Sequence, residues 1–479
     1  MTKAYITTSI PYVNGNPHIG FALEIIQADV LARYYKSLSV KTFFLTGTDE
    51  NAIKNAQKAQ ELGLDVKKMV DDYAKQFYDL KSVLNLSFDF FIRTSSPDHH
   101  LSAQKFWLLC QKDIYKKKYV GLYCSGCESF YKDGEFKDNI CPNHKKPLET
   151  IEEENYFFAL SRYQKQLFDI ISKDKIQIEP QYRKTEILNF INQGLEDFSI
   201  SRPADRAYNW GIDVPGDSSQ KIYVWFDALI NYVSGLGFGT ESENFKTFWL
   251  DNNNKIHFIG KDIIKFHLIY WPAMLLSARL PLPNKVFVHG FLTVNRQKIS
   301  KTLGNVISPY DLVYKYGTDA VRYYFLREIP TAEDGDFSWQ RFNEIYKSEL
   351  SNELGNLVVR VTTLAEKDSL EVEFSDKEYD FSLNGKDLSE LVENFNYHQA
   401  MAEINAYIKE LNKKIDTFQP WKKSSGERQK FLIDMLSHLH KLGFVLRPFL
   451  PDTAGKILKS VSGKISKAQA LFPSIADNN

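Results

Sequence analysis

Short apolar runs alternate with helical-period segments over two separate stretches of this chain, and a cysteine-bearing segment of different character lies between them. Residues 4–10, 42–46 and 88–93 read as strands, with a helix over 21–35 and further helices after Asn51. In the first helix Leu23, Ile26, Val30 and Tyr34 mark one face, and Phe21, Ile25, Ala28 and Ala32 another. A helix apolar on two sides belongs inside a layered α/β fold. The alternation stops near Lys116 and resumes near Lys221 with Ile222-Tyr223-Val224-Trp225, then 256–259 and 286–289. One doubly wound parallel sheet split by a long insertion accounts for this better than two small domains. From Ile345 the strand signals vanish. Leu350, Leu354, Leu357 and Val361, and then Leu388, Leu391, Val392 and Phe395, follow helical spacing and predict an α-helical bundle.

Charge narrows the class of partner. Basic and acidic residues number 60 each, so the chain carries no global nucleic-acid signature of the kind a strongly basic chain would give, and no DNA partner is expected. Locally the balance is uneven: residues 366–408 hold eleven acidic and three basic residues, residues 409–467 five and thirteen. A basic C-terminal third can meet a phosphate backbone, or it can simply be a solvated helical surface. No apolar leader precedes the first strand, and the apolar stretch 266–282 is broken by His267, Pro272 and Arg279, so no membrane association is expected. Four cysteines in 479 residues argue against a disulfide framework, and the chain reads as cytoplasmic.

Three local patterns carry chemistry. Pro17-His18-Ile19-Gly20-Phe21 joins the first strand to the first helix, a place where free backbone N–H groups and the helix dipole favour an anion. His18 adds a donor there and Gly20 admits a close approach, although a turn with one His and one Gly can be purely structural. Lys298-Ile299-Ser300-Lys301-Thr302 places two lysines three apart in a polar loop, suited to neutralising phosphate charge or to a plain solvated face. Cys124-x2-Cys127, then Cys141-x2-His144, has the spacing of a tetrahedral Cys3His zinc site. Four protein ligands leave no open position, so one structural Zn(2+) per chain is expected rather than a catalytic one. Cys110 lies outside the set and reads as a small buried apolar residue.

In order along the chain, the first and second patterns resemble the HIGH and KMSKS signatures of class I aminoacyl-tRNA synthetases. The likeness is most specific to bacterial-type methionyl-tRNA synthetases, and it runs over nearly the full length. It rests on residues 10–20, on Phe44-Leu45-Thr46-Gly47-Thr48-Asp49-Glu50, on the single zinc knuckle pair and on Tyr223-Val224-Trp225-Phe226-Asp227-Ala228. His257-Phe258-Ile259-Gly260-Lys261-Asp262-Ile263, the 298–302 loop, Asn356-Leu357-Val358-Val359-Arg360 and Pro420-Trp421 complete it. The resemblance implies a Rossmann-type sheet split by a zinc-binding insertion and followed by an anticodon-binding bundle. It divides the chain at 1–115, 116–220, 221–325, a linker 326–345 and 346–479.

The resemblance also implies roles. Ile10, Tyr12, Trp225, Ile263 and His267 would line a methionine side-chain pocket, consistent with the apolar, aromatic slot a thioether needs. From local sequence alone Trp225 could equally be a core residue. Asp49 would hold the substrate ammonium; a turn-capping Asp is the plain alternative. Gly260 and Asp262 would hold the ATP ribose, and His18, Gly20, Lys298 and Lys301 the triphosphate, with Mg(2+) accompanying ATP. His18, Lys298 and Lys301 are the expected catalytic groups. Asn356, Arg360 and Trp421 would read the anticodon of tRNA(Met): an amide and a guanidinium for base edges, an aromatic ring for stacking.

Three positions depart from the family pattern. Phe21 stands where the first signature ends in histidine, Asn51-Ala52 replaces His-Gly, and the second signature is KISKT. A monomer is expected, because no additional oligonucleotide-binding module follows the bundle. Phe21 gives some weight to a non-catalytic, tRNA-binding relative; both lysines, Asp262 and the pocket set weigh against it. A dinucleotide-binding dehydrogenase is disfavoured because no G-x-G-x-x-G follows the first strand. A small HxGH-type nucleotidyltransferase leaves the cysteine insert and the bundle unexplained.

Overall fold

The computed structural model describes residues 3–124, 129–131, 137–142, 145–240, 242–299, 304–375 and 379–474. The chain divides into two compact units, one made of residues 1–16, 41–79 and 88–288, the other of 17–40, 80–87 and 289–479.

The first unit is built on strands. β1 (Lys3–Thr8), β2 (Lys41–Thr48) and β3 (Phe90–Arg93) come first in the chain. The insertion supplies β4 (Ile114–Cys124), β5 (Ser129–Tyr131), β6 (Glu149–Phe158), β7 (Gln177–Glu179) and β8 (Phe198–Ser199). β9 (Ser201–Pro203), β10 (Asp213–Val214) and β11 (Asp217–Ile222) follow, then β12 (Lys255–Gly260) and β13 (Lys285–His289). The principal sheet has the order β3-β2-β1-β12-β13-β7, with parallel pairing of β2 to β3, β1 to β2, β1 to β12 and β13 to β7. β12 is buried along its whole length, Lys255 and His257 included, as befits a strand in the middle of a parallel sheet.

Two expectations change here. β7 lies inside the insertion yet closes one edge of the principal sheet, so the insert is part of that layer. Residues 222–225 do not reopen the sheet: Ile222 ends β11 in a small antiparallel sheet β10-β11-β9, and Val224–Leu229 is helical. A short apolar run reads alike in a buried strand and a buried helix, and Tyr223 and Val224 are buried against Ala52.

The unit's core runs from Tyr5 and Leu45 through Phe106 and Trp107 to Phe226, Trp249 and Trp271. Cys110 belongs to it, and burial pushes its thiol up to about 12, so it is a packing residue. In the insert, β5-β4-β6-β8 is antiparallel.

The second unit is mainly helical. Its helix Ile19–Ser37 is buried on nearly every side, as its two apolar faces predict, and carries the buried Glu24, Gln27 and Asp29 inward with them. The Asp29 carboxylate pairs with Arg322 at 2.8 Å and Arg33 at 2.7 Å and accepts from the Ser87 N–H at 2.6 Å. Burial pushes that carboxyl up, and the two guanidinium groups outweigh it, holding it below the usual carboxylate range. Arg322 also donates to the Phe449 and Pro448 carbonyls at 2.8 and 3.0 Å, so every face of this buried cation has an acceptor. Leu350, Leu354, Leu357 and Val361 are all buried, spanning the turns 346–355 and the helix Asn356–Lys367. Beyond Ile345 the strands among the described residues are two-residue pairings, 371–372 with 463–464 and 382–383 with 386–387. No helix among the described residues is long and apolar enough to cross a membrane.

Candidate active site

Strand order determines where a ligand can enter the first unit. The chain leaves β1 for β2 on one side, while β12 occupies the other, so the connections diverge and open a crevice at the carboxyl ends of β1 and β12. Ile10 and Tyr12 follow β1, Asp49 follows β2, and Gly260, Asp262 and Ile263 close or follow β12. Six expected site residues therefore share one rim for a topological reason.

The aromatic wall is tightly ordered. Trp225, in the first turn of the helix Val224–Leu229, stacks on Phe266 with ring centroids 3.6 Å apart and planes 4° from parallel. Tyr12 packs edge-on with Trp225 at 6.5 Å and 68°, and the Lys54 ammonium lies 4.8 Å from the Tyr12 ring centroid. The Trp225 indole N–H has no hydrogen-bond partner among the described residues. Asp49, 3% exposed, is bridged to Tyr12: its backbone N–H donates to the Pro11 carbonyl at 2.8 Å. Ile10 and Ile263 pack as half-buried residues on the principal core.

His267 gives the pocket its polarity. Its Nδ1 lies 2.9 Å from the Ile263 carbonyl, and its Nε2 lies 2.7 Å from the Tyr232 hydroxyl. A carbonyl only accepts, so Nδ1 carries the proton, Nε2 accepts, and Tyr232 donates to it. Burial pulls the ring down to about 4, against the Ile263 hydrogen bond, which favours protonation. The pair is therefore neutral near pH 7. Tyr232 stacks in turn on His257 at 4.1 Å, and the His257 Nδ1 lies 2.7 Å from the Thr7 hydroxyl.

The acidic loop after β2 is held from several sides. Glu50, fully buried, takes Arg93 in a two-point contact at 2.7 and 2.8 Å and accepts from Thr48 at 2.7 Å. Its carbonyl accepts from the Trp210 indole at 2.7 Å. Gly47 passes under β3 with no room for a side chain: a Cβ there would sit 2.0 Å from the Ile92 carbonyl oxygen.

In the second unit, His18 is exposed and caps the helix Ile19–Ser37. Its Nδ1 accepts from the Gly20 N–H at 3.1 Å, which leaves Nε2 as the donor of a neutral ring. A Cβ on Gly20 would lie 2.9 Å from the His18 ring, so glycine permits this fold-back. Phe21 is 8% exposed in the first turn. Lys298 is exposed on β15 (Gln297–Lys298), which pairs with β14 (Leu292–Val294), and its carbonyl accepts from Asn305 at 3.0 Å. Lys301 lies outside the described residues.

Of the expected anticodon set, Asn356 is exposed at the start of its helix and Arg360 pairs with Asp416 at 2.7 Å. Trp421 is 52% exposed on the short turn Pro420–Lys422. Of the expected zinc set, Cys127 and His144 lie outside the described residues. Cys124 ends β4 opposite Ser129, and Cys141 opens a turn closed by Lys145 N–H to Cys141 O at 2.8 Å and Cys141 N–H to Lys146 O at 2.9 Å. Both cysteines are buried. The described residues contain no cluster of three metal-ligating groups.

Sequence reading missed Phe266 and Tyr232. The signal for Phe266 is its place beside His267; Tyr232 has only its spacing of seven from Trp225, two helical turns on.

Known proteins carry the same pattern. The profile of the family described as tRNA synthetases class I (M) matches residues 4–150 and 135–362. The methionine--tRNA ligase of Thermotoga maritima is 40% identical, over 96% of this chain and 75% of its own. That of Brucella melitensis is 37% identical, over 98% of this chain and 93% of its own. The structure of Mycobacterium tuberculosis methionyl-tRNA synthetase in complex with methionyl-adenylate superimposes with a TM-score of 0.89 at 34% identity, covering 99% of both chains. Crevice, aromatic slot and near-full-length similarity agree: the chain belongs to the methionyl-tRNA synthetase family of class I aminoacyl-tRNA synthetases.

Proposed function

We infer that the protein activates methionine with ATP and transfers it to the 3′ end of tRNA(Met). The observation that carries this reading is the group of residues that follow β1 and β12: Tyr12 beside the Trp225–Phe266 stack, and next to Phe266 in the chain a neutral His267 hydrogen-bonded to Tyr232. A thioether fits such a surface, since it needs polarizable contact and no charge. Asp49 at the rim supplies the charge that an α-ammonium needs.

The chemistry asks little of acids and bases. The methionine carboxylate attacks the α-phosphorus of ATP, the bond to pyrophosphate breaks, and the tRNA terminal hydroxyl then displaces AMP from the adenylate. ATP-dependent chemistry with Mg(2+) is general to the family, and the ion, when bound, offsets phosphate charge. Gly260 and Asp262 hold the ribose; His18, Gly20, Lys298 and Lys301 position the triphosphate and stabilise charge as it moves to pyrophosphate. Phe21 cannot donate, so His18 and the two lysines carry that task among the protein groups we assign to it.

Cys124, Cys127, Cys141 and His144 hold one structural Zn(2+); the two buried cysteines beside tight turns support the assignment, because a zinc knuckle presents its thiolates from such turns. Elemental analysis should find one zinc per chain, falling in Cys124→Ser. Asn356, Arg360 and Trp421 read the anticodon, and the chain works as a cytoplasmic monomer. The parsing at 1–115, 116–220, 221–325, 326–345 and 346–479 describes a catalytic domain, its insert, a linker and the anticodon domain.

Pyrophosphate exchange on purified protein tests the reading. Exchange should respond to methionine far more than to leucine, isoleucine or cysteine. An equal response to leucine refutes the pocket, and no response to any amino acid leaves a non-catalytic tRNA-binding protein.

A further inference from the structure

A buried polar chain that no step of the reaction uses runs behind the methionine slot. Asp227 is fully buried in the helix Val224–Leu229. One carboxylate oxygen accepts from the Asn51 amide at 2.8 Å; the other lies 2.6 Å from His99 Nε2. A carboxylate only accepts, so Nε2–H is the donor. The His99 Nδ1 lies 2.7 Å from the Ser234 hydroxyl, and the second Asn51 amide hydrogen goes to the Thr94 carbonyl at 2.9 Å. Every donor that faces Asp227 here comes from a different segment of the first unit.

The connections of this carboxylate are specific. Asn51 stands two residues after Asp49, in the loop following β2. Asp227 stands two residues after Trp225. The Asn55 amide ties the same loop down by donating to the Asp49 and Glu50 carbonyls at 3.1 and 2.9 Å. Ala52, between them, packs against Tyr223 and Val224 with Tyr12 and Trp225 alongside. The Asn51–Asp227 hydrogen bond is thus the polar link between the loop that bears the ammonium-facing carboxylate and the helix that bears the aromatic wall.

We propose that Asp227, braced by His99, is a positioning residue that through Asn51 sets the spacing between Asp49 and Trp225, and so sets affinity for the amino acid without acting on ATP. The proposal rests on the assignment of Asp49 and Trp225 to the methionine subsite. Asp227→Ala removes the acceptor of the Asn51 amide and of the His99 ring together, whereas Asn could keep both by letting His99 change tautomer toward Ser234. The loop or the helix then shifts by the few tenths of an ångström that a two-point ligand contact does not tolerate.

The test uses the full chain and pyrophosphate exchange, with methionine and ATP varied separately. Asn51→Ala and Asp227→Ala should each raise KM for methionine at least tenfold, leave KM for ATP within about twofold, and lower kcat less than they raise KM. The exchanged pair Asn51→Asp with Asp227→Asn puts a donor on 227 and an acceptor on 51, and it should recover part of the methionine KM that Asn51→Asp alone loses by setting two carboxylates face to face, the Thr94 carbonyl still lacking its donor. If Asp227→Ala does not fold, Asn51→Ala, which removes one donor and leaves the carboxylate, decides the matter alone. Equal losses for methionine and ATP, a lowered melting temperature with unchanged methionine KM, or an exchanged pair no better than Asn51→Asp overturns the proposal. Absence of methionine-dependent exchange in the native protein would instead overturn the function assigned above.

Discussion

Lowering the pH should destabilise the first unit through one identifiable ring. His267 is 2% exposed and titrates at about 4 in the folded chain, against 6.5 for an ordinary histidine. Between those values the unfolded chain binds a proton that the native chain refuses, so stability falls as pH drops from 6.5 and levels off below 4. Above 6.5 both states are neutral at this site and the contribution is fully present. A span of two and a half units at 1.36 kcal/mol each gives a loss of about 3 kcal/mol. His267→Gln keeps an acceptor for the Tyr232 hydroxyl and removes the titrating group. Urea unfolding of both proteins between pH 4 and 7.5, followed by tryptophan fluorescence, isolates the term from the carboxylates, which the two share. The native protein should lose about 3 kcal/mol more than His267→Gln across this range. Parallel curves would refute the argument, and so would a difference of opposite sign. Methionine affinity should accordingly hold nearly constant from pH 8 down to about 5, because the ring that anchors Tyr232 stays neutral.

Other outcomes follow from single contacts. Gly47→Ala places a methyl group 2.0 Å from the Ile92 carbonyl oxygen, so it must force β2 and β3 apart; urea unfolding should show a loss of at least 1–3 kcal/mol, about what overpacking costs. Trp225→Ala removes the stack on Phe266, worth about 0.5–1.5 kcal/mol beyond its area, and should raise KM for methionine severalfold while KM for ATP holds. Trp421→Ala should cost aminoacylation about 1–3 kcal/mol of base stacking and leave pyrophosphate exchange nearly intact; equal loss of both activities would make Trp421 a packing residue.

The principal sheet was legible because its central strands carry clusters of apolar and β-branched residues, 4–6 in β1 and Ile256, Phe258 and Ile259 in β12, on a nearly fully buried backbone. The same rule failed at residues 222–225, where four apolar residues divide between a strand end and a helix. β7 gave no signal: three residues, Gln-Ile-Glu, with one buried side chain, carry no periodicity. The site was legible as motifs, and its individual residues came from family resemblance rather than from local pattern. Tyr232, and the part Asp227 plays within its motif, went unread because their importance lies in partners 35 and 128 positions away. Spacing along a chain does not encode which rings will stack or which donor will reach a buried carboxylate.

The pairing of β1 with β12 makes the order of synthesis matter. Tyr5 lies opposite Lys255, and the two are joined only when the intervening insert has been made. At ~5–20 residues per second, one side of β1 waits roughly 10–50 s for its partner after leaving the ribosome. During that interval β1 and β2 can pair, but β1 presents an open apolar edge on which another nascent chain could dock. Faster elongation through the insert, or a holdase that covers residues 3–8, would shorten or shield this exposure. Yield of native protein should therefore depend on how quickly codons 9–254 are read more than on those of the bundle.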